Sequence, residues 1–167
     1  KFLWPSNGAN FAELPEGPFD EDTRVSLSGS IQPGAFKKAW EILIHNFSSN
    51  YEKSSSMRII SMRISGVFGP TYRSMLNLPS RLCHAAARNI QPDFSKPRGG
   101  IPYANDTFDL TYVKDVVRAN ILASISSNAY GMNFNIASKN NTSITELAQT
   151  LSDINNVKII SAPERIG

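Results

Sequence analysis

The sequence predicts an α/β fold, because short apolar strands alternate with segments of helical periodicity along its 167 residues. Hydrophobic residues make up 41% of the chain, enough for a sizeable core, and this fraction argues against wholesale disorder. The length fits one ordinary domain, and no linker marks a domain boundary.

The first part of the chain predicts two strands separated by an amphipathic helix. Residues 2–4 are an apolar run typical of a buried strand, and residues 5–35, rich in Pro, Gly, Ser and Asn, predict a long loop. Residues 57–64 predict a second buried strand, parallel to the first because a right-handed crossover requires it. The helix between them should pack on the sheet through one apolar face: Phe36, Trp40, Leu43, Ile44 and Phe47.

The remaining elements are shorter. We expect helices at residues 78–90, 116–124 and 143–151, and strands at residues 110–113, 132–136 and 157–160. Asp115 can cap the second of these helices, because its carboxylate can accept the free N–H groups of the first turn. Ser143 and Glu146 have the spacing of a capping box that opens the third.

Composition excludes several classes of function. The net charge is +3, but Lys and Arg are scattered, so no nucleic-acid site is predicted. His45 and His84 have no carboxylate or cysteine at ligand spacing, so no metal site is predicted. No apolar run could span a bilayer and no signal peptide is visible, so we expect no membrane association and a cytoplasmic location. The single cysteine, Cys83, is expected to be a buried small hydrophobe.

Five segments occur in an order that is typical of one protein family. They are residues 14–23 (LPEGPFDEDT), 34–41 (GAFKKAWE), 63–70 (RISGVFGP), 112–119 (YVKDVVRA) and 134–138 (FNIAS). Together they resemble the NAD-dependent epimerase/dehydratases, the extended short-chain dehydrogenase/reductases. Each motif alone is weak, but the five follow one another in the right order and are spread across most of the chain.

The resemblance implies a partial doubly wound, Rossmann-like parallel sheet with a small C-terminal substrate-binding portion. The family opens with a strand and a Gly-rich turn that holds the dinucleotide pyrophosphate, and no Gly-x-x-Gly-x-x-Gly occurs here. We therefore expect a single fragment over residues 1–167: the C-terminal half of the nucleotide domain plus part of the substrate domain. Binding of NAD or NADP by this chain alone is expected to fail.

The resemblance also implies where the chemistry occurs. In the family, a tyrosine acts as general acid/base on a substrate hydroxyl, and a lysine four residues later favours the phenolate and holds the nicotinamide ribose. Lys37 matches the lysine, and Pro33, which has no ionisable group, occupies the tyrosine position. The alternative for Lys37 is a solvated lysine paired with Glu41 at i, i+4.

The family places a Ser or Thr on a neighbouring strand, where it hydrogen-bonds the reacting oxygen. If Phe11 replaces the tyrosine of the usual strand end, Asn7 falls at that position, and a one-residue slip would restore Ser6. The sequence leaves this choice open. The candidate catalytic residues are therefore Lys37, Ser6 and Asn7.

Cofactor contacts are implied for Lys37 and for the loop Phe68, Gly69 and Pro70, for which the alternative is a plain turn after a strand. Phe108 stands where nucleotide-sugar members place a phosphate-binding arginine. Other arginines could pair with an anion instead: Arg73, Arg81, Arg88 and Arg98. The expected partners are a small, sugar-like substrate and a second copy of the chain, bound through the Lys37 helix. The alternative function is a catalytically dead relative that binds a small molecule or a protein.

Overall fold

The computed structural model describes residues 2–11, 14, 17–25, 32–51, 58–71, 77–92 and 103–156. The predicted α/β class is confirmed. The strands are β1 (Phe2–Asn7), β2 (Ile59–Ile64), β3 (Gly66–Phe68), β4 (Thr107–Tyr112), β5 (Asn133–Ile136) and β6 (Asn141–Ser143). The helices are α1 (Gln32–Tyr51), α2 (Leu78–Arg88), α3 (Val113–Ile125) and α4 (Ile144–Asn155). The predicted strand at residues 157–160 lies outside the described residues.

The chain divides into two compact units. Unit 1 comprises residues 1–67 and 111–137, and unit 2 comprises residues 68–110 and 138–167. The chain thus crosses between the units three times, and the composition of the sequence does not mark these crossings. Each unit is described separately below.

Unit 1 is built on a three-stranded parallel sheet with the order β1-β2-β5. The predicted parallel pairing of the first two strands is confirmed, with Ser6 opposite Arg63. On the other side of β2, Arg63 lies opposite Asn135. Because side chains alternate along a strand, such cross-strand rows face the same side of the sheet.

One face of this sheet is apolar and packs against α3. Ile60 and Met62 of β2 are fully buried, with Ala123 of α3 and Ala129 in the same core cluster. Partly buried side chains extend the cluster: Leu3, Ile64, Ala119, Tyr130, Phe134 and Ile136. The small alanines allow α3 to approach closely, so this face forms the hydrophobic core of unit 1.

The opposite face of the sheet lies under α1 and is polar except for Phe2, Trp4 and Ile59. Ser6, Arg63 and Asn135 form one cross-strand row, and Trp4, Ser61 and Asn133 form the next. His45 of α1 reaches this face, where its Nε2 lies 2.9 Å from Asn133 Oδ1. A face of this kind requires polar partners from the helix that covers it.

The predicted apolar contact of α1 with the sheet is confirmed only in part. Ile44 is buried and the Trp40 ring lies 5.5 Å from the Trp4 ring of β1, but the rest of the predicted face is not buried. Phe36, Trp40 and Leu43 are 68%, 51% and 58% exposed, and of the predicted face only Ile44 is buried. The helix instead buries Lys38 and Glu41. It also begins at Gln32, and β1 and a 3-10 turn over Gly8–Phe11 occupy the start of the predicted loop, so that loop is shorter than predicted.

The predicted cap at Asp115 is also wrong. Helix α3 begins at Val113, directly after β4, and its N-cap is Tyr112, which makes no side-chain capping hydrogen bond. Asp115 therefore lies inside the first turn. There its negative charge suits the positive end of the helix dipole without capping it.

Unit 2 packs two helices against each other. Leu78 and Leu82 of α2 and Ile144 of α4 form a buried cluster, and Leu147 and Leu151 lie against it. Strand β4 pairs antiparallel with β6. The predicted capping box is confirmed: Ser143 Oγ accepts from Glu146 N at 3.1 Å, and Glu146 Oε2 accepts from Ser143 N at 2.9 Å.

Candidate functional site

The carboxyl end of β1 brings together two of the predicted site residues. Lys37 Nζ donates a hydrogen bond to the Pro5 carbonyl oxygen at 2.5 Å and lies 4.7 Å from the centroid of the Trp4 ring. Ser6 follows Pro5 directly, and Asn7 ends the strand. The carboxyl ends of parallel strands are where α/β sheets bind ligands, so Lys37 occupies a position suited to a ligand-binding role.

A buried carboxylate lies beside this lysine. Glu41 Oε2 accepts from Ser6 Oγ at 3.0 Å and from Asn10 Nδ2 at 2.7 Å. Its other oxygen accepts from Arg63 Nε at 2.7 Å and also from Arg63 Nη2. The Arg63 and Glu41 side chains are only 6% and 4% exposed. Among the described residues Glu41 therefore pairs with Arg63, and the alternative Lys37–Glu41 pair is not formed.

The Ser6 hydroxyl is engaged inside this cluster. It donates its only proton to Glu41 and accepts a hydrogen bond from Asn10 Nδ2 at 3.0 Å. Ser6 is 4% exposed and Asn10 is fully buried. A hydroxyl has one donor, so Ser6 has none left for a ligand while these bonds persist.

The loop that contains Phe19 and Glu21 is tied to the ends of β2 and β5. Arg63 Nη1 donates to the Glu21 carbonyl oxygen at 3.1 Å, and Asn135 N donates to Glu21 Oε1 at 2.8 Å. Asn135 Nδ2 also donates to the Phe19 carbonyl at 3.0 Å, and the Phe19 ring stacks on Phe11 at 4.8 Å. Arg63 thus contacts both α1 and this loop.

Sequence reasoning missed Asn10, Arg63 and Asn135 as members of this cluster. Their signal is faint, because an arginine within an apolar strand segment is the single feature that stands out in the sequence. A buried arginine requires a buried acid, and Glu41 is the acid that α1 offers. The asparagines are found only by the strand register.

The predicted cofactor loop opens unit 2. Phe68 is 40% exposed and is followed by Gly69 and Pro70. The next residue, Thr71, has φ 67°, a conformation that β-branched residues rarely adopt. Such strain costs about 1–3 kcal/mol and often marks functional loops. The contact of Phe68, Gly69 and Pro70 with a cofactor stays a prediction.

Other candidate groups have simpler interpretations. Across the ranges that the structure describes, no group of three or more His, Cys, Asp or Glu could hold a metal ion. Cys83 is exposed, not buried as predicted, because it lies on the outer side of α2. Partial burial raises the pKa of its thiol, which disfavours the reactive thiolate.

Arg88 is exposed at the end of α2, while Arg73 and Arg98 lie outside the described residues. Within the described part of the chain, no helix is long and apolar enough to cross a membrane.

An open hollow of about 370 Å³ lies on the apolar face of unit 1. It is lined mainly by Met62, Leu122, Met132, Phe134 and Ile136. Ser126 and Asn128 are its polar members, and none of the lining residues is titratable. The hollow therefore offers no acid, base or nucleophile, and the carboxyl end of β1 is the better candidate for chemistry.

Comparison with known proteins identifies the family and supports the fold. The model of the NAD dependent epimerase/dehydratase family matches residues 1–137. The structure resembles UDP-N-acetylglucosamine 4-epimerase from Methanobrevibacter ruminantium M1 in complex with UDP-N-acetylmuramic acid (TM-score 0.76, 24% identity), covering 99% of this chain and 50% of that one. It also resembles UDP-glucuronic acid 4-epimerase from Bacillus cereus in complex with UDP-glucuronic acid and NAD, with a TM-score of 0.75 at 23% identity. That match covers 98% of this chain and 48% of the epimerase.

A third similar structure is MoeE5 in complex with UDP-glucose and NAD, with a TM-score of 0.78 at 22% identity. The match covers 99% of this chain and 52% of MoeE5. The chain thus spans about half the length of the structures it resembles. No curated protein matches it.

Proposed function

Because the chain belongs to the NAD dependent epimerase/dehydratase family, we propose that it forms part of an NAD(P)-dependent protein that takes a sugar-like hydroxyl or carbonyl substrate. The observation that carries this proposal is the hydrogen bond from Lys37 Nζ to the Pro5 carbonyl. It holds the lysine at the carboxyl end of β1, next to Ser6, one of the two positions for which the family resemblance implies a catalytic role. The nucleotide-sugar ligands of the similar structures support the substrate class.

The lysine fits a dinucleotide. An ammonium group has three N–H donors, and among the described residues Lys37 uses one, on Pro5. The others remain for the hydroxyls of a ribose, and the positive charge favours an ionised oxygen nearby. When bound, NAD would supply the hydride acceptor. The residues of this chain would orient the nicotinamide and the substrate oxygen.

Proton transfer is the step that this chain is least equipped to perform. Pro33 lies in the first turn of α1, one turn before Lys37. Proline, which has no backbone N–H, is tolerated there because the N–H groups of a first turn have no intrahelical partners in any case. Proline has no ionisable group, so the substitution removes the acid/base of the reaction without disrupting the helix. A positioned acid/base contributes about 10²–10⁴-fold, and dehydrogenation should be slower by such a factor. Pro33 also favours the second candidate function, which is a binding protein without turnover.

The test is a gain of function in the natural full-length protein. Pro33→Tyr is compared with Pro33→Phe, which adds the same ring without the hydroxyl, and NAD reduction is measured with UDP-sugars and simpler alcohols. We expect Pro33→Tyr to exceed both Pro33→Phe and the natural protein by about 10²-fold or more. Adding Lys37→Ala should remove the gain. Equal rates in all the Pro33 variants, abolished by Lys37→Ala, would instead show that another residue is the base.

The proposal includes a homodimer formed through α1. Phe36, Trp40 and Leu43 recur on one side of the helix and are each more than half exposed, which is an arrangement suited to packing against a second copy. Leu43→Glu should convert a dimer into a monomer in sedimentation analysis. Ile125→Glu, at a 70% exposed apolar residue of α3, is the control and should leave the dimer intact. A cytoplasmic location likewise remains a prediction.

A further inference from the structure

We propose that Glu41 is a positioning residue, which fixes the Lys37 ammonium at the end of β1. The inference rests on the proposed role of Lys37 and names the group that keeps this lysine in place. Glu41 lies one helical turn after Lys37, so both side chains leave the same side of α1. Their contacts fall on consecutive residues of β1, the Pro5 carbonyl and the Ser6 hydroxyl.

Glu41 joins three separate parts of unit 1. Its carboxylate accepts from Ser6 at the end of β1, from Asn10 in the following 3-10 turn, and from Arg63 in β2. Four hydrogen bonds on one buried carboxylate leave α1 little freedom to slide or rotate on the sheet. The Arg63 guanidinium compensates the charge, and hydrogen bonds to charged groups are the stronger kind.

Lys37 by itself is weakly held. Among the described residues it makes one hydrogen bond, to Pro5, and one ring contact, with Trp4. A lysine side chain has four rotatable bonds and adopts many conformers when it is not constrained. The carboxylate one turn away therefore determines whether the helix stays close enough to β1 for the Lys37–Pro5 bond to form.

Ser6 helps Glu41 to position Lys37. The Ser6 hydroxyl donates a hydrogen bond to the Glu41 carboxylate, and the residue is 4% exposed. Of the two alternatives that the sequence leaves open at the strand end, Ser6 is therefore the one that serves the helix contact.

The test measures the accessibility of the Lys37 amine and needs neither cofactor nor substrate. The natural protein and its Glu41→Gln variant are acylated with limiting acetic anhydride, and the modification rate of each lysine is read by peptide mass spectrometry. Lys114, which is exposed on α3, is the internal reference. We expect the Lys37 rate, relative to Lys114, to rise about tenfold or more in Glu41→Gln, because local opening exposes the amine. Glu146→Gln, an exposed glutamate of α4, should leave the ratio unchanged.

A second variant covers the case in which Glu41→Gln does not fold. Ser6→Ala removes one of the four bonds and should raise the ratio about two- to fivefold while lowering the melting temperature by about 2–4 °C. An unchanged Lys37 ratio in either folded variant would overturn the proposal. The function and the positioning role are separable: if Pro33→Tyr is inactive while the Lys37 ratio rises, Glu41 positions the lysine and the proposed function fails.

Discussion

The two faces of the unit 1 sheet are built on opposite principles, although the same strand supplies both. In β2, Ile60 and Met62 enter an apolar core with α3, while Ser61 and Arg63 face the polar side under α1. The first contact depends on shape and burial of apolar area. The second depends on the pairing of a buried charge with its partners. The polar side therefore specifies how its helix sits on the sheet, because it depends on particular pairs of residues. It is also the side on which Lys37 contacts β1.

The polar face of the sheet also explains the orientation of α1. An apolar stripe on a helix usually faces the sheet, but a polar sheet face reverses that preference. Glu41 and His45 turn inward to satisfy Arg63 and Asn133, which leaves Leu43 and its apolar neighbours outside. Amphipathicity alone therefore does not determine which side of a helix is buried.

The largest effect is expected from breaking the polar face. Arg63→Met leaves the Glu41 carboxylate buried without its cation, and removal of one partner of a buried ion pair costs about 3–5 kcal/mol. The free energy of unfolding, measured with urea, should fall by this amount. The double variant Arg63→Met with Glu41→Gln should recover a large part of it, because no charge is then stranded. Two additive losses would show that the two residues are not coupled. The polar face would then not depend on this buried ion pair.

The apolar face should respond to volume and not to charge. Met62→Ala removes a side chain that is 1% exposed and should cost about 2–5 kcal/mol through lost burial and the cavity that remains. The matched control is Met132→Ala, because Met132 is 50% exposed on the same side and should cost less than about 1 kcal/mol. Equal losses in urea denaturation would place the core elsewhere.

The smallest effect concerns the two helix starts for which the sequence predicts caps. Ser143→Ala should destabilise α4 by about 1 kcal/mol, whereas Asp115→Asn should change stability by less than about 0.5 kcal/mol. Hydrogen bonds from the Ser143 backbone N–H and hydroxyl hold the pKa of Glu146 below its ordinary value of 4.5. A lowered pKa in the folded state means that this contribution is present above pH 4.5 and is lost as the pH falls further.

Amide exchange in α4 measures that pH dependence. Exchange at Glu146 should quicken as the pH falls below 4.5, after correction for the intrinsic rate. The Ser143→Ala variant should show no such dependence, because the bonds that lower the pKa are already weakened. A response of the same size in both would mean that the capping box does not stabilise the helix.

Much of the fold could be predicted from the sequence, because strand periodicity and the capping box are local signals. The strands β1 and β2 and the start of α4 follow from such patterns, and the parallel pairing of the two strands follows from the right-handed crossover between them. The division into two units could not be predicted, since both units are assembled from segments distant in sequence. The prediction of where α3 starts failed because β4 runs directly into the helix, which leaves Asp115 inside the first turn.

The candidate site could be predicted only in part. Lys37 stands out by its place in a motif, and the structure does bring it to the end of β1. The Glu41 cluster escapes prediction because Ser6, Asn10 and Arg63 are brought together by strand register and by a turn. These are non-local contacts, and no spacing along the chain reveals them.

The central claim is that α1 faces the sheet with its polar side and turns its apolar side outward. Thiol labelling tests it directly in a Cys83→Ser background, with Leu43→Cys compared with Ile44→Cys at protein concentrations extrapolated to infinite dilution. Leu43 is 58% exposed and its neighbour Ile44 is 7% exposed. The account predicts that the thiol of Leu43→Cys reacts like a free thiol and that of Ile44→Cys at least about 100-fold more slowly. A protected thiol in Leu43→Cys beside a reactive one in Ile44→Cys would contradict it.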